Sequence, residues 1–140
     1  MSFKEDIPTA LKGVNAEISE VAKAVERDVK DITLVAVGKT YEADHMVPAL
    51  NAGQRVFGEN RVQEAAGKWP DLRESYPDIE LHLIGPLQTN KIKQALEVFD
   101  VFETIDRPKL ARKLASELAG SDKNFHAVCL VIGRACLECN

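Results

Sequence analysis

The chain has 140 residues, of which 45% are apolar and 29% charged, the balance of about one globular domain. Lysine and arginine number 18 against 22 acidic residues, and the net charge of -4 argues against a general nucleic-acid-binding protein, which must neutralise phosphates. No run of residues approaches the roughly 18–20 apolar positions that cross a bilayer, so we expect no membrane-spanning protein.

Both ends of the sequence favour the cytoplasm. Residues 1–6 contain two acids and no apolar stretch, so we expect no secretory signal. Cys129, Cys136 and Cys139 crowd into the last dozen residues, whereas a disulfide framework would spread them along the chain. With His126 they could supply four metal ligands, but zinc modules have two well-spaced ligand pairs. We therefore expect accidental cysteines and no metal.

Hydrophobic periodicity predicts a helix, then a strand, then a second helix. Apolar residues recur at three- and four-residue steps over residues 11–29, which is typical of an amphipathic helix. Residues 32–37 form a β-branched run of the kind that is buried on both faces of a sheet. The second helix is expected around residues 43–50, despite Pro48, and should end at a left-handed Gly53.

The strand–helix alternation then repeats. Further strands are predicted at residues 55–58, 79–84, 101–105 and 125–132. Helical faces are predicted at residues 62–69, ending before Pro70, at residues 92–99, and from Asp106 to Gly120. In this last helix Asp106 is the expected N-cap and Pro108 lies in the first turn.

This alternation, with short loops, predicts successive βαβ units and a parallel sheet with right-handed crossovers. Two arrangements compete at this point, an open doubly wound sheet and a (βα)8 barrel. An open sheet favours a glycine-rich turn after the first strand, and Gly38-Lys39-Thr40 is not such a turn. Units of about 20–35 residues are typical of barrels, yet five strands are only a little over half of one. Both arrangements remain open.

Polar side chains gather where four predicted strands end, and ligands of parallel α/β folds bind at this edge. The segments are Lys39-Thr40, Glu59-Asn60-Arg61, residues 85–91 and residues 104–107. Cations, amides and helix N-termini together suit an anionic ligand, because the first turn of a helix has free N–H groups.

Lys39 is the most informative of these residues. It directly follows an apolar strand, so we expect its stem to be partly buried and its ammonium to point into the rim. Partial burial of a lysine favours the free amine, which can attack an aldehyde and form a Schiff base. The alternative is a lysine that ends a strand and extends into water.

Three other polar residues have structural explanations. Asn60 and Asn90 stand where helices begin, so capping is the favoured role for each. His82 alternates with Leu81 and Leu83 and must face the opposite side of its strand. A hydrogen-bonded core histidine is favoured there over a functional one, although in a barrel that side is the interior.

Three segments resemble the signatures of the pyridoxal phosphate homeostasis protein family, in order and with suitable spacing. They are LVAVGKT (residues 34–40), FGENRVQE (residues 57–64) and HLIGPLQTNK (residues 82–91). Gly38 stands where the first signature usually has serine. The resemblance extends from the first helix to about Val131.

The resemblance implies an α/β fold related to the N-terminal domain of alanine racemase, a (βα)8 TIM barrel. This chain would supply its N-terminal part, with about five parallel strands. It also implies that pyridoxal 5′-phosphate (PLP) is held as a Schiff base on Lys39, with Asn60 and His82 lining the cofactor cavity. The implied role is intracellular PLP (vitamin B6) homeostasis in the cytoplasm, with no catalysed reaction.

Two alternative functions remain open. A PLP-dependent enzyme of fold type III, such as an amino-acid racemase or decarboxylase, needs a second acid–base residue, for which the sequence offers no clear candidate. A cofactor-free fragment could instead act as an interaction module that pairs with itself or another chain.

A family member would continue beyond the fifth strand. We therefore expect a partial PLP-binding barrel domain over residues 1–131 and a divergent tail over residues 132–140, as in a truncated product. Open sheet edges would then allow self-association. The loops after strands seven and eight, which usually bind phosphate in barrels, would be absent, and PLP binding would be weak.

Overall fold

A computed structural model describes residues 3–122 and 126–127 of the chain, and these form one parallel five-stranded sheet with helices between the strands. The strands are β1 (Ala36–Val37), β2 (Val56–Glu59), β3 (Glu80–Leu83), β4 (Val101–Phe102) and β5 (His126–Ala127). The helices are α1 (Phe3–Ala24), α2 (Ala43–Asn51), α3 (Val62–Ser75), α4 (Ile92–Val98) and α5 (Pro108–Leu118), with short 3-10 helices at Val29–Asp31 and Thr89–Lys91.

The strand order decides between the two arrangements that the sequence left open. The described strands pair in chain order, β1-β2-β3-β4-β5, and every neighbouring pair is parallel. With right-handed crossovers, a sheet that grows in one direction keeps all its helices on one face, whereas a doubly wound sheet reverses direction. The predicted fold class, part of a (βα)8 barrel, is confirmed.

The two faces of the sheet differ in what they contact. Phe57 packs against Trp69 of α3 with ring centroids 4.8 Å apart, and Leu81 lies beside Phe57 in the register. These side chains, with Phe102, are at most 1% exposed and form the core under the helices. Because strand side chains alternate, His82 and its neighbours in the register lie on the other face, which would be the inside of a barrel.

The first helix is largely solvent-exposed. Among its described side chains only Ala22, near the C-terminal end, is buried, while Val14 and Val21 on its apolar face are 44% and 63% exposed. It packs against α2, where the Lys4 ammonium donates a hydrogen bond to the Asp44 carboxylate and lowers the pKa of that group. The predicted helix at residues 11–29 therefore exists, but it begins earlier and ends at Ala24.

Of two helix ends predicted from single residues, the one at Gly53 is confirmed and the one at Pro70 is not. Gly53 has φ +98° just after α2, which confirms the predicted left-handed residue. The expected end of the third helix before Pro70 is wrong, because α3 continues through Pro70 to Ser75. Trp69 and Leu72 are both buried against the core, and this packing outweighs the hydrogen bond that proline cannot donate.

Some sequence predictions fall outside the described residues. They include the cysteines at 129, 136 and 139, the tail over residues 132–140, and most of the fifth strand. In the described part of the chain, no helix has the length and apolarity needed to cross a membrane. Nor does that part contain a cluster of three or more histidine, cysteine or acidic side chains that could hold a metal ion.

Candidate functional site

The carboxyl ends of the strands bring the predicted motifs to one edge of the sheet. Lys39 lies in the turn after β1, Asn60 follows β2, and the His82 motif begins in β3. The first two motifs are joined directly, because the Gly38 N–H donates to the Gly58 carbonyl at 2.9 Å. This edge is therefore where a ligand would meet all three signatures.

Lys39 occupies a tight turn. The Tyr41 N–H donates to the Gly38 carbonyl at 3.2 Å, so Lys39 and Thr40 are the two central residues of a four-residue turn. Lys39 is exposed as a whole residue, and the partial burial of its stem stays a prediction. Strand β1 comprises only Ala36 and Val37 of the predicted strand, so Lys39 lies two residues beyond its end.

A buried charged network lies directly beneath this turn. Glu59, the last residue of β2, is fully buried, and its Oε1 accepts hydrogen bonds from Lys68 Nζ at 2.7 Å and Trp69 Nε1 at 2.9 Å. Lys68 Nζ also donates to the Gly38 carbonyl at 2.7 Å. The sequence placed Glu59 on the polar rim, at the carboxyl end of its strand. Glu59 instead faces α3, and Trp69 both packs and donates.

His82 lies on the face opposite Leu81 and Leu83, as its alternation predicts. It is 8% exposed, and its Nδ1 and Nε2 lie 2.5 Å from Glu103 Oε1 and 2.7 Å from Glu80 Oε1. Each ring nitrogen of His82 therefore has a carboxylate oxygen of a different glutamate within hydrogen-bond distance. His82 is thus a hydrogen-bonded histidine with a fixed ring.

Asn60 is not the N-cap of α3. That position belongs to Arg61, and Asn60 is half-buried at the edge of an open cleft of about 570 Å³. The cleft also contains three cationic side chains: Arg61, Lys91 and Arg107. Arg61 lies 3.6 Å from Glu64, and Arg107 2.6 Å from Asp106, so two of the three have carboxylate neighbours. Neither Lys39 nor His82 lines this cleft.

The predicted caps of the next two helices are also wrong. Asn90 lies inside the 3-10 helix Thr89–Lys91, and Lys91 is the N-cap of α4. Arg107 rather than Asp106 is the N-cap of α5, with Pro108 in its first turn as expected. The Asp106 carboxylate pairs with Arg107 Nη1 instead of capping the helix.

Gly85 is a further residue of this candidate site, and no sequence pattern marked it individually in advance. A Cβ atom at this position would lie 2.2 Å from the carbonyl oxygen of Asn60 and 2.8 Å from its Cα. The Gly85 carbonyl in turn accepts a hydrogen bond from Thr104 Oγ1 at 2.5 Å. The loops after β2, β3 and β4 therefore meet at Gly85, and only glycine allows this approach.

Comparison with known proteins identifies the family. No family model matches the chain. The pyridoxal phosphate homeostasis protein of Escherichia coli K12 is 44% identical over 110 residues, 78% of this chain and 47% of that protein. The protein of the same name from Bos taurus is 39% identical over 122 residues, 83% of this chain and 45% of that protein. The chain belongs to the pyridoxal phosphate homeostasis protein family.

Solved structures agree with this assignment. PipY of Synechococcus elongatus with PLP bound has a TM-score of 0.60 and 39% identity, over 73% of this chain and 49% of PipY. PipY without PLP has a TM-score of 0.66 and 35% identity, over 79% of this chain and 51% of PipY. This chain spans about half the length of the curated homeostasis proteins it matches. Those relatives are named for PLP homeostasis and not for a catalysed reaction.

Gly38 has little space for a side chain. A Cβ atom would lie 2.7 Å from Met46 Sδ and 2.9 Å from Glu59 Oε1. Met46 can move, but two hydrogen bonds hold the Glu59 oxygen. We therefore expect Gly38→Ala to lower the free energy of unfolding by about 1–3 kcal/mol, the usual cost of overpacking. Urea denaturation measures this, with Gly13→Ala in α1, where a Cβ meets nothing within 4 Å, as control. Equal stability of Gly38→Ala and the parent chain would contradict the prediction.

Proposed function

We propose that this chain acts in intracellular PLP homeostasis by binding PLP as a Schiff base on Lys39, and that it catalyses no reaction of its own. The observation that carries the proposal is the exposed Lys39 at the carboxyl edge of a parallel sheet, in a chain that is 39% identical to PipY, whose structure is known with PLP bound. The proposed compartment is the cytoplasm. The net charge of -4 supports a small molecule rather than a nucleic acid as ligand.

The residues around Lys39 fit an aldehyde ligand with a flat ring. Lys39 would supply the primary amine that holds the aldehyde carbon as a Schiff base, with water lost as the carbon–nitrogen double bond forms. On the face of the sheet that carries His82, a Cβ at Gly58 would lie 3.0 Å from Val35 Cγ1 and 3.2 Å from Ile84 Cδ1, so these two side chains meet above Gly58. They form an apolar floor between β1 and β3 on which a pyridine ring can rest.

His82 and Asn60 would line the opposite side of the bound cofactor. Val37, Gly58 and His82 are neighbours in the register, which puts His82 two strands away from the β1 strand that carries Lys39. Because Glu80 and Glu103 hold both ring nitrogens, His82 keeps a fixed orientation there. Asn60, fixed by its contact with Gly85, would offer its amide from the next loop.

Borohydride trapping tests the proposal. The purified chain is incubated with PLP, reduced, digested and mapped by mass spectrometry. We expect the reduced adduct on the peptide that contains Lys39. Lys39→Arg should remove it, because guanidinium stays protonated and does not form the imine. Lys93→Arg on the exposed face of α4 is the matched control and should retain the adduct. Labelling spread over several lysines in the parent chain, or unchanged labelling in Lys39→Arg, would reject Lys39 as the site.

A further inference from the structure

The turn that carries Lys39 adopts a backbone conformation that its own residues disfavour. Thr40 has φ +68°, and Lys39 is not among the residues with positive φ, so the turn between Gly38 and Tyr41 has the φ signs of a type II turn. Glycine is the usual residue at this position of a type II turn. A β-branched residue such as threonine is strained there, and such strain persists only where surrounding contacts enforce it.

Lys68 supplies such a contact from below. Its side chain is 8% exposed, and its ammonium donates to the Gly38 carbonyl, the same oxygen that accepts the closing hydrogen bond of the turn. Glu59 fixes the ammonium in turn at 2.7 Å, and Trp69 fixes the Glu59 oxygen. A charged donor makes a stronger hydrogen bond than a neutral one, so the first residue of the turn is firmly anchored.

We propose that Lys68, held by Glu59, is a positioning residue that keeps the strained Lys39 turn in the conformation that captures the aldehyde. The part that concerns aldehyde capture rests on the proposed function, whereas the anchoring of the turn does not. Lys68 does not touch the reacting amine. It acts through its hydrogen bond to the Gly38 carbonyl. Because Lys68 and its counter-charge Glu59 are both buried, water does not readily replace the Lys68 ammonium at this carbonyl.

The test compares three variants with the parent chain. Lys68→Met with Glu59→Gln removes both charges together and keeps an oxygen that accepts from Trp69 Nε1. Adding Thr40→Gly to this double variant lets residue 40 adopt positive φ without strain. Lys93→Met, on the exposed face of α4, is the matched lysine control. Two readouts are taken, the hydrogen-exchange rate of the Tyr41 amide without PLP and the rate of reducible adduct formation at Lys39 with PLP.

We expect the double variant to exchange the Tyr41 amide about tenfold faster and to capture PLP about tenfold more slowly, the factor that one lost hydrogen bond produces. Thr40→Gly should restore both rates, a rescue that a general loss of stability would not show. Unchanged Tyr41 exchange in the double variant, or failure of Thr40→Gly to restore it, would overturn the proposal. If the parent chain forms no adduct at Lys39, the proposed function fails, and Tyr41 exchange still decides whether Lys68 anchors the turn.

Discussion

Replacing Gly85 with alanine is expected to lower the free energy of unfolding by about 3 kcal/mol, at the upper end of the cost of overpacking. The new Cβ would lie 2.2 Å from the Asn60 carbonyl oxygen and 2.9 Å from its carbonyl carbon. These are backbone atoms, which cannot rotate away as a side chain does. Either the loop after β3 or the loop after β2 has to move, and Asn60 moves with it.

Gly67→Ala provides a control that should change the free energy of unfolding in the opposite direction. Gly67 lies on the exposed side of α3, and a Cβ there would meet nothing within 4 Å. Alanine in the middle of a helix is favoured over glycine by roughly 0.5–1 kcal/mol, so this variant should be more stable than the parent chain. Urea denaturation of both variants measures the two free energies. A Gly85→Ala chain that unfolds at the same urea concentration as the parent would show that the two loops separate at little cost.

The sequence predicted those features that depend on local periodicity. Alternation along β3 placed His82 opposite Leu81 and Leu83, and the structure confirms this, since only the leucines face the helices. The strand–helix alternation predicted the parallel sheet. It did not choose between an open sheet and part of a barrel, because strand order is a long-range property that no local pattern records.

The predicted helix caps failed in one consistent way. Asn60, Asn90 and Asp106 each precede the observed N-cap residue by one position. Capping preferences identify the polar residue near a helix start, but loop contacts decide which residue takes the cap conformation. At Asn60 that contact is the close approach of Gly85, which lies 25 residues further along the chain.

The buried Glu59–Lys68 pair was not predictable from the sequence. Glu59 adjoins Asn60 and Arg61 and was therefore assigned to the polar rim, and Lys68 looks like a surface residue of an amphipathic helix. Their burial depends on how α3 packs beneath the end of β1. There Lys68 donates a hydrogen bond to the Gly38 carbonyl, and the Glu59 carboxylate lies close to the Gly38 Cα. The partner of a buried charge can be found only once the packing of the elements is known.

Removing the charge of Lys68 alone should be far more damaging than removing the charges of the pair. We expect Lys68→Met to lower the free energy of unfolding by about 3–5 kcal/mol, because it leaves the Glu59 carboxylate buried without a counter-charge. Within the described part of the chain Glu59 Oε2 already has no hydrogen-bond partner, so this carboxylate cannot compensate for the lost ammonium. The introduced methionine side chain would retain much of the packing volume, which leaves the unpaired charge as the main cost.

Adding Glu59→Gln to Lys68→Met should recover most of that loss, because a neutral amide is much cheaper to bury than an unpaired carboxylate. Denaturation of the two single variants and the double variant completes a cycle that measures the coupling between residues 59 and 68. Lys93→Met, with its side chain in solvent, should stay within about 0.5 kcal/mol of the parent chain. A double variant no more stable than Lys68→Met would mean that Lys68 contributes through packing and the Gly38 contact rather than through the Glu59 charge.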